Sequence, residues 1–428
     1  MFSTWGALTG LAIAIVLIVR KTTPAYALAL GALVGGLFGG GSLPDTVSAM
    51  ISGAQSMMPS VLRILTSGVL AGALVKTGSA EKIADSVIRA LGERFSLAAI
   101  ALAVLIVTSV GVFVDIAVIT VAPIALAIGR RTGIPVPALL LAMVGGGKAG
   151  NVTSPNPNTI AAADAFGLDI TSLMAKNVVP ALCALAMTAF LASMLARKKG
   201  AVAGREDAGG AQGADIEETK LPSMLAAVAG PVVVVALLAL RPIFGIAVDP
   251  LVALPAGGIV SILSCGCWRN TSEYCEYGLS KVVGVAILLV GTGAVAGIVK
   301  NSGLNADMIS FLNACHLPAF ALAPFSSFLL SGATASTTAG VTIAAQTFSE
   351  ALVDAGVPPL SAAAMLHAGG TIIDELPHGS FFHATAGAVG MGVKDRLKII
   401  PLGALVGATS TVVSVVVYLC SRWGLSAS

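Results

Sequence analysis

Residues 145–158 combine residue types that disrupt a helix with types that bind small polar molecules. The segment holds four glycines, two prolines and three asparagines around Lys148. Proline and glycine disfavour a continuous helix, so we predict a break between helical halves at 134–144 and 159–165. The polar side chains would line a cavity there and hold a carboxylate and hydroxyl groups. The candidate substrate-binding residues of this segment are Lys148, Asn151, Ser154, Asn156 and Asn158.

Lys148 has two interpretations, because its surroundings in the sequence are apolar and an unpaired buried charge is costly. In the first, its ammonium group binds the carboxylate of a substrate. In the second, it pairs with a buried acid such as Asp115 and only stabilises the fold. The sequence leaves both interpretations open.

Residues 371–383 form a second polar interruption, and their titratable groups can exchange protons. Carboxyl and imidazole groups buried in an apolar segment are costly and typically functional. The segment contains two adjacent acids, Asp374 and Glu375. The simpler interpretation for one of them is that it caps the following half-helix. The candidate proton carriers of the chain are Asp374, Glu375, Asp115 and His378. In this segment, His378 and Ser380 are also candidate substrate ligands.

Two shorter segments, residues 110–115 and 331–338, each lie in the middle of a long apolar stretch. The first ends in the lone acid Asp115. The second contains five hydroxyl side chains, which suit sugar hydroxyls or a cation, although hydroxyls also bond to their own helix. The candidate ligands in the second segment are Ser331, Thr334, Ser336 and Thr337.

The composition shows where these segments lie. Of 428 residues, 56% are hydrophobic and 11% are charged, whereas a soluble domain has about 25% charged residues. The apolar runs have the length of helices that cross a bilayer, so we predict an all-α polytopic membrane protein in contact with lipid. A net charge of +3 argues against a nucleic-acid partner. The six cysteines lack the spacing of a metal site, and we expect neither metal nor cofactor.

The apolar stretches predict about ten transmembrane helices and two re-entrant helical hairpins. The hairpins, residues 95–129 and 317–349, are too long for one span and break near their middles. Each is followed by an interrupted helix, at 134–165 and at 357–391. The predicted organisation is N-terminal spans at 1–57, a first repeat at 58–196, a linker at 197–221, connecting spans at 222–278 and a second repeat at 279–428.

The two repeats are related by an offset of about 223 residues. Gly-Ile-Pro at 133–135 matches Gly-Val-Pro at 356–358, and the polar interruptions occupy equivalent places. An odd number of spans separates the copies, so we predict that they have opposite orientations. Inverted repeats with interrupted helices are typical of secondary transporters, whose site lies at the membrane midplane. We therefore expect a transporter rather than an enzyme.

The positive charges predict the orientation. Most of the 24 Lys and Arg residues fall on one side of the predicted spans, among them Lys281 and Arg396. Cytoplasmic loops carry the excess of such residues. We therefore expect both termini outside and the linker at 197–221 in the cytoplasm.

The sequence resembles the gluconate permease (GntP) family of proton symporters, within the ion transporter superfamily. The resemblance covers nearly the whole chain and is most specific at Ser-Pro-Asn-Pro-Asn (154–158) with the following Thr-Ile-Ala-Ala-Ala, and at 374–383. It implies proton-coupled uptake of gluconate or a related sugar or hydroxy acid through the bacterial inner membrane, by a homodimer with elevator-like motion. Gluconate permeases tend to carry histidine and glycine where Asn156 and Asn158 stand here, which leaves the particular acid open.

A sodium-coupled carboxylate transporter or exchanger of the same fold is the alternative. Na⁺ would then replace H⁺ as the coupling ion. Its oxygen ligands would come from Asn151, Ser154, Asn156 and residues 334–338.

Overall fold

The computed structural model describes residues 2–20, 22–92, 95–197, 221–304 and 318–422, together with residues 306, 307, 310 and 314. Across this part of the chain the regular secondary structure is helical, apart from one β-bridge between Phe2 and Ser302. The predicted all-α fold is confirmed. The predicted linker at 197–221 lies outside the described residues except at its two ends.

Twenty helices can be assigned within the described residues. Those before the linker are α1 (Thr4–Val19), α2 (Pro24–Phe38), α3 (Leu43–Ser56), α4 (Met58–Lys76), α5 (Ser79–Leu91), α6 (Ser96–Ser109), α7 (Val114–Thr132), α8 (Val136–Asn151), α9 (Pro157–Ala165), α10 (Ile170–Lys176) and α11 (Val178–Arg197). Those after it are α12 (Met224–Phe244), α13 (Pro250–Ser264), α14 (Thr271–Lys300), α15 (Leu322–Thr334), α16 (Thr337–Asp354), α17 (Pro359–Gly369), α18 (Ser380–Ala388), α19 (Val393–Leu397) and α20 (Ile400–Arg422).

The helix lengths and composition agree with a polytopic membrane protein. Helices α4, α11, α14 and α20 are long and apolar enough to cross a membrane. Six shorter apolar helices, α1, α2, α6, α12, α13 and α15, accompany them among the described residues. Proline stands at the first or second position of eight of the described helices, where its missing N–H costs no hydrogen bond. Helix α3, an amphipathic helix near the N-terminus, was not predicted.

Each long apolar stretch that was predicted to be a hairpin contains two helices. Helices α6 and α7 are separated at residues 110–113, and helices α15 and α16 at residues 335–336. Ala335 has a positive φ of 47°, which lets the chain reverse within two residues. The second interrupted helix consists of α17 and α18 with a break at 370–379.

The first interrupted helix breaks later than predicted. Helix α8 continues through the glycine run to Asn151, and only residues 152–156 are non-helical before α9 begins. The reason is packing, because a Cβ atom at Gly146 would lie 2.1 Å from the carbonyl oxygen of Ala101 on α6. Glycine here allows two helix backbones to approach closely, and this tertiary contact outweighs its weak intrinsic helix propensity.

The helices pack in two groups that each combine parts of both halves of the sequence. Helices α1–α4 pack with α14, and α4 also packs with α13; α6, α8 and α11 pack with each other, and α8 and α11 also pack with α20. The second helix of each hairpin packs against the other half of the chain: α16 packs on α9, and α7 packs on α18. The second helix of each hairpin therefore contacts the second half of the interrupted helix from the other half of the chain. This reciprocal packing brings the two hairpin tips and the two helix breaks together.

We predict that Gly146→Ala lowers the thermal unfolding temperature of the purified protein. The added methyl group must displace the α6 backbone, and overpacking of this kind costs about 1–3 kcal/mol. Gly284→Ala on α14 is the matched control, because a Cβ at that helical position meets no atom within 4 Å. Equal unfolding temperatures for the two variants would show that the glycine contact does not stabilise the fold.

Candidate functional site

A cavity of about 860 Å³ lies where both hairpin tips and both helix breaks meet. Each of the four segments contributes to its wall, together with residues from α1, α2 and α14. Residues of the four segments that line the cavity are 113–116, Asn151, 156–158, 334–339, Asp374, 377–381 and His383. The segments that the sequence singled out for their polar residues thus form one site.

Four helices begin at this cavity, namely α7, α9, α16 and α18. The N-terminus of a helix carries a partial positive charge and unpaired N–H groups. Asn156 caps α9, with its Oδ1 accepting from the N–H groups of Asn158 and Thr159, and Ser336 caps α16 by accepting from Ala339. Helix α7 carries Asp115 in its first turn. Helix α18 begins after Gly379 and has no side-chain cap.

The uncapped start of α18 is flanked by polar side chains of the second break. His378 and Ser380 are both exposed in the cavity wall. The His378 ring nitrogen Nε2 lies 3.2 Å from the carbonyl oxygen of Ala333, and His383 Nε2 lies 2.8 Å from that of Pro377. An anion at the start of α18 would meet free backbone N–H groups, a hydroxyl and an imidazole.

The asparagines of the first break bond mainly to one another. Asn151 Oδ1 accepts from Nδ2 of Asn156 at 2.5 Å and from Nδ2 of Asn158 at 2.9 Å. All three residues line the cavity. Ser154 is fully buried behind them and does not line it, and its hydroxyl has no partner among the described residues. The network holds the break in one shape and limits the number of amide oxygens that are free for a ligand.

Lys148 is buried and does not line the cavity, and its ammonium group is paired with two acids. Its Nζ lies 2.8 Å from Asp374 Oδ1 and 2.9 Å from Glu375 Oε1, and it donates to the carbonyl oxygen of Thr371 at 2.8 Å. Of the two interpretations of Lys148, the structure therefore shows the ion pair. Its partners are Asp374 and Glu375 rather than Asp115, and Lys148 does not line the cavity where a substrate carboxylate could reach it.

Arg396 on α19 is a further buried charge beside the second helix break. It was not among the site residues predicted from the sequence. Its side chain is 0% exposed, its Nη2 lies 2.5 Å from Glu375 Oε2, and its guanidinium lies over the Phe382 ring at 5.4 Å. The positive-inside count treated Arg396 as a loop cation, whereas the structure buries its side chain completely. Charge balance could have found it, because two adjacent buried acids need more than the single cation Lys148.

We call Lys148, Asp374, Glu375 and Arg396 the buried ion cluster. Its formal charges sum to zero, so it satisfies the requirement that buried charges be paired. Asp374 is the member that also lines the cavity, with 4% of its surface exposed. The Thr337 hydroxyl at the second hairpin tip donates to Asp374 Oδ2. Asp374 therefore connects the cavity to the cluster.

The remaining predicted site residues, which belong to the two hairpin tips, lie in different places relative to the cavity. Thr334 bonds to the carbonyl oxygen of Leu330 on its own helix at 2.8 Å, and Ser331 is buried outside the cavity wall. Asp115 lies in the wall and interacts electrostatically with Lys281 on α14. Lys281, which the sequence assigned to the cytoplasmic side, is exposed in the wall of the cavity.

Interrupted helices and hairpins that meet at a cavity are typical of a membrane transport protein. The family model described as GntP family permease matches residues 4–421, and the chain belongs to this family. The resemblance inferred from the sequence motifs is confirmed, and so is the expectation of a permease rather than an enzyme.

Relatives and a solved structure agree with this assignment. An "Uncharacterized transporter" of Haemophilus influenzae is 52% identical over 97% of this chain and 98% of its own length. The inner membrane permease YgbN of Escherichia coli is 24% identical over 92% of this chain and 93% of its own. The YdaH transporter of Alcanivorax borkumensis shares the fold, with a TM-score of 0.66 and 15% identity over 98% of this chain and 99% of its own.

We predict that Lys148→Met strongly destabilises the protein. Removing one partner of a buried ion pair leaves an uncompensated charge and costs about 3–5 kcal/mol. Lys300→Met is the matched control, because Lys300 pairs with Glu350 at 2.9 Å on the surface, where such pairs contribute about 0–1 kcal/mol. Thermal unfolding in detergent measures both, and a similar small shift for the two variants would contradict the structural role of Lys148.

Proposed function

We propose that this permease is a proton-coupled symporter for a small carboxylate such as gluconate or a related sugar or hydroxy acid. One observation carries the proposal: four helix N-termini meet at one cavity whose wall contains an ion-paired acid. Helix N-termini at interrupted helices are a recurring means of binding anionic groups in transporters. The acid supplies a group that can take up a proton in the same place.

The size and polarity of the cavity suit such a substrate. About 860 Å³ is within the range of small-molecule sites, about 300–1,000 Å³. The start of α18 with His378 and Ser380 forms a locus for the carboxylate. The hydroxyl groups of 334–338 and the amides of the first break offer hydrogen bonds to substrate hydroxyls.

Asp374 is the acid best placed to carry the proton. It lies in the cavity wall, whereas Glu375 is fully enclosed between Lys148 and Arg396. One proton moved with one monoanion carries no net charge. The pH difference alone would then drive uptake, at about 1.36 kcal/mol per pH unit.

Sodium coupling has less support from the geometry. The oxygens suggested as Na⁺ ligands are largely engaged: Asn151 Oδ1 accepts two hydrogen bonds, and Asn156 Oδ1 caps α9. Thr334 bonds to its own helix. Uptake experiments with and without Na⁺ decide between the two ions.

We also propose a location in the bacterial inner membrane as a homodimer, with both termini outside and the linker at 197–221 in the cytoplasm. In that orientation the cavity lies toward the cytoplasm, since its wall includes residues 22–25 at the start of α2 and Lys281 in the first half of α14. At the opposite side, Arg63 on α4 bonds to Asp164 on α9 and to Asp249 before α13. These ion pairs join α4 to α9 and to the residue before α13 on the proposed outer side, which supports an inward-facing state.

We predict that proteoliposomes accumulate labelled gluconate under an imposed inward proton gradient without Na⁺. Asp374→Asn should lose this accumulation while it still exchanges internal for external gluconate, because exchange does not require the proton to be released. Asp354→Asn on α16 is a control acid that does not line the cavity. Accumulation that requires Na⁺, or that survives in Asp374→Asn, would contradict proton coupling through this residue.

We predict that Ser380→Asp weakens gluconate binding at least tenfold. An aspartate at the first position of α18 interacts favourably with the helix dipole but occupies the anion locus and repels a second carboxylate. Ser380→Asn has similar size without charge and should bind more tightly than the aspartate variant. Isothermal titration of the two purified variants measures the difference, and equal affinities would place the carboxylate elsewhere.

A further inference from the structure

We propose that Arg396 is a positioning residue that keeps Glu375 ionised and thereby makes Asp374 the proton-exchanging acid of the cluster. The inference rests on the proposed proton symport and assigns the division of roles between two adjacent acids. It also gives a physical reason why proton binding promotes the binding of an anion.

Glu375 is held by a cation at each of its oxygens. Oε1 lies 2.9 Å from Lys148 Nζ, and Oε2 lies 2.5 Å from Arg396 Nη2. Helix α20 closes over the carboxylate so tightly that a Cβ at Gly403 would lie 1.7 Å from Oε1. Glu375 therefore contacts two cations and has no exposed surface, so its charge is balanced entirely within the cluster.

Asp374 has a different environment. One cation, Lys148, contacts it, and its second oxygen accepts from the Thr337 hydroxyl. It also has a small exposed surface in the cavity. A hydroxyl group can donate or accept, so Thr337 can donate to the carboxylate of Asp374 and accept from its protonated form. Asp374 can therefore change protonation state without losing its hydrogen bond.

The charge of the cluster explains the coupling. With both acids ionised, the two cations balance them and the net charge is zero. When Asp374 takes up a proton, the net charge becomes +1 beside the cavity, which favours an anionic substrate. Since coupling between two ligands is reciprocal, a bound anion favours protonation of Asp374 by the same factor. Arg396 determines these two values of the net charge. Without it, protonation of Asp374 would change the net charge of the cluster from −1 to zero.

Other titratable groups face the same cavity from neighbouring elements. They are Asp115 on α7, Lys281 on α14, and His378 and His383 of the second break and α18. Among the described residues none of them forms an ion pair with Asp374, and none is changed in the variants of the experiments that follow. These groups affect the absolute affinity for gluconate but not the comparison between the variants.

Infrared difference spectroscopy of the purified full-length protein, titrated with acid in the absence of substrate, tests the assignment directly. A buried carboxylic-acid band should form in the wild type, disappear in Asp374→Asn, and persist in the double variant Glu375→Gln, Arg396→Gln. A band that persists in Asp374→Asn and is lost in Glu375→Gln would overturn the proposal. This result does not depend on whether gluconate is a substrate.

Gluconate affinity and proton-driven uptake test the charge balance. Arg396→Gln should weaken binding at least about tenfold, the effect of removing one adjacent charge worth 1.4 kcal/mol. The double variant restores the wild-type charge states and should recover most of that loss, and Arg396→Lys should recover part of it. A double variant as impaired as Arg396→Gln would overturn the charge role. Wild-type protein without proton-driven uptake would instead contradict the proposed symport.

Discussion

The pairing of four buried charges constrains the structure more than any other interaction. A charge in an apolar interior must have a partner of opposite sign, and the partners here come from distant parts of the chain. Lys148 on α8 contacts Asp374 and Glu375 in the second break, and Glu375 contacts Arg396 on α19. These contacts join the two halves of the sequence at the point where their helices are interrupted.

The cluster depends in turn on small residues in the surrounding helices. Glu375 fits against α20 only because residue 403 is glycine. Lys148 lies at the end of a helix whose glycines allow α6 to approach its backbone. Glycine in these helices therefore makes room for charged side chains and for neighbouring backbones. The same residues suggested helix disruption when only local sequence was considered.

The sequence was sufficient to predict what local patterns determine. Apolar run lengths predicted the helical membrane fold, and interrupted runs predicted both hairpins and both helix breaks. Interactions between distant residues could not be read in this way. The first break begins after Asn151 because α6 supports the glycine run. Lys148 finds its partner Asp374 more than 200 residues further along the chain. The burial of Arg396 depends on its contact with Glu375, about 20 residues away.

Two kinds of positive charge at one cavity can then serve different purposes. Helix N-termini present fixed partial charges that no proton can remove, so they provide a constant attraction for an anion. The buried ion cluster instead changes its net charge when one acid is protonated. Lys148 contacts acids and does not line the cavity, so in the proposed symport its charge would act on a substrate only through the protonation state of Asp374. The proposed mechanism thus separates a constant attraction for the anion from a switchable charge, and a proton would regulate anion binding without contacting the anion.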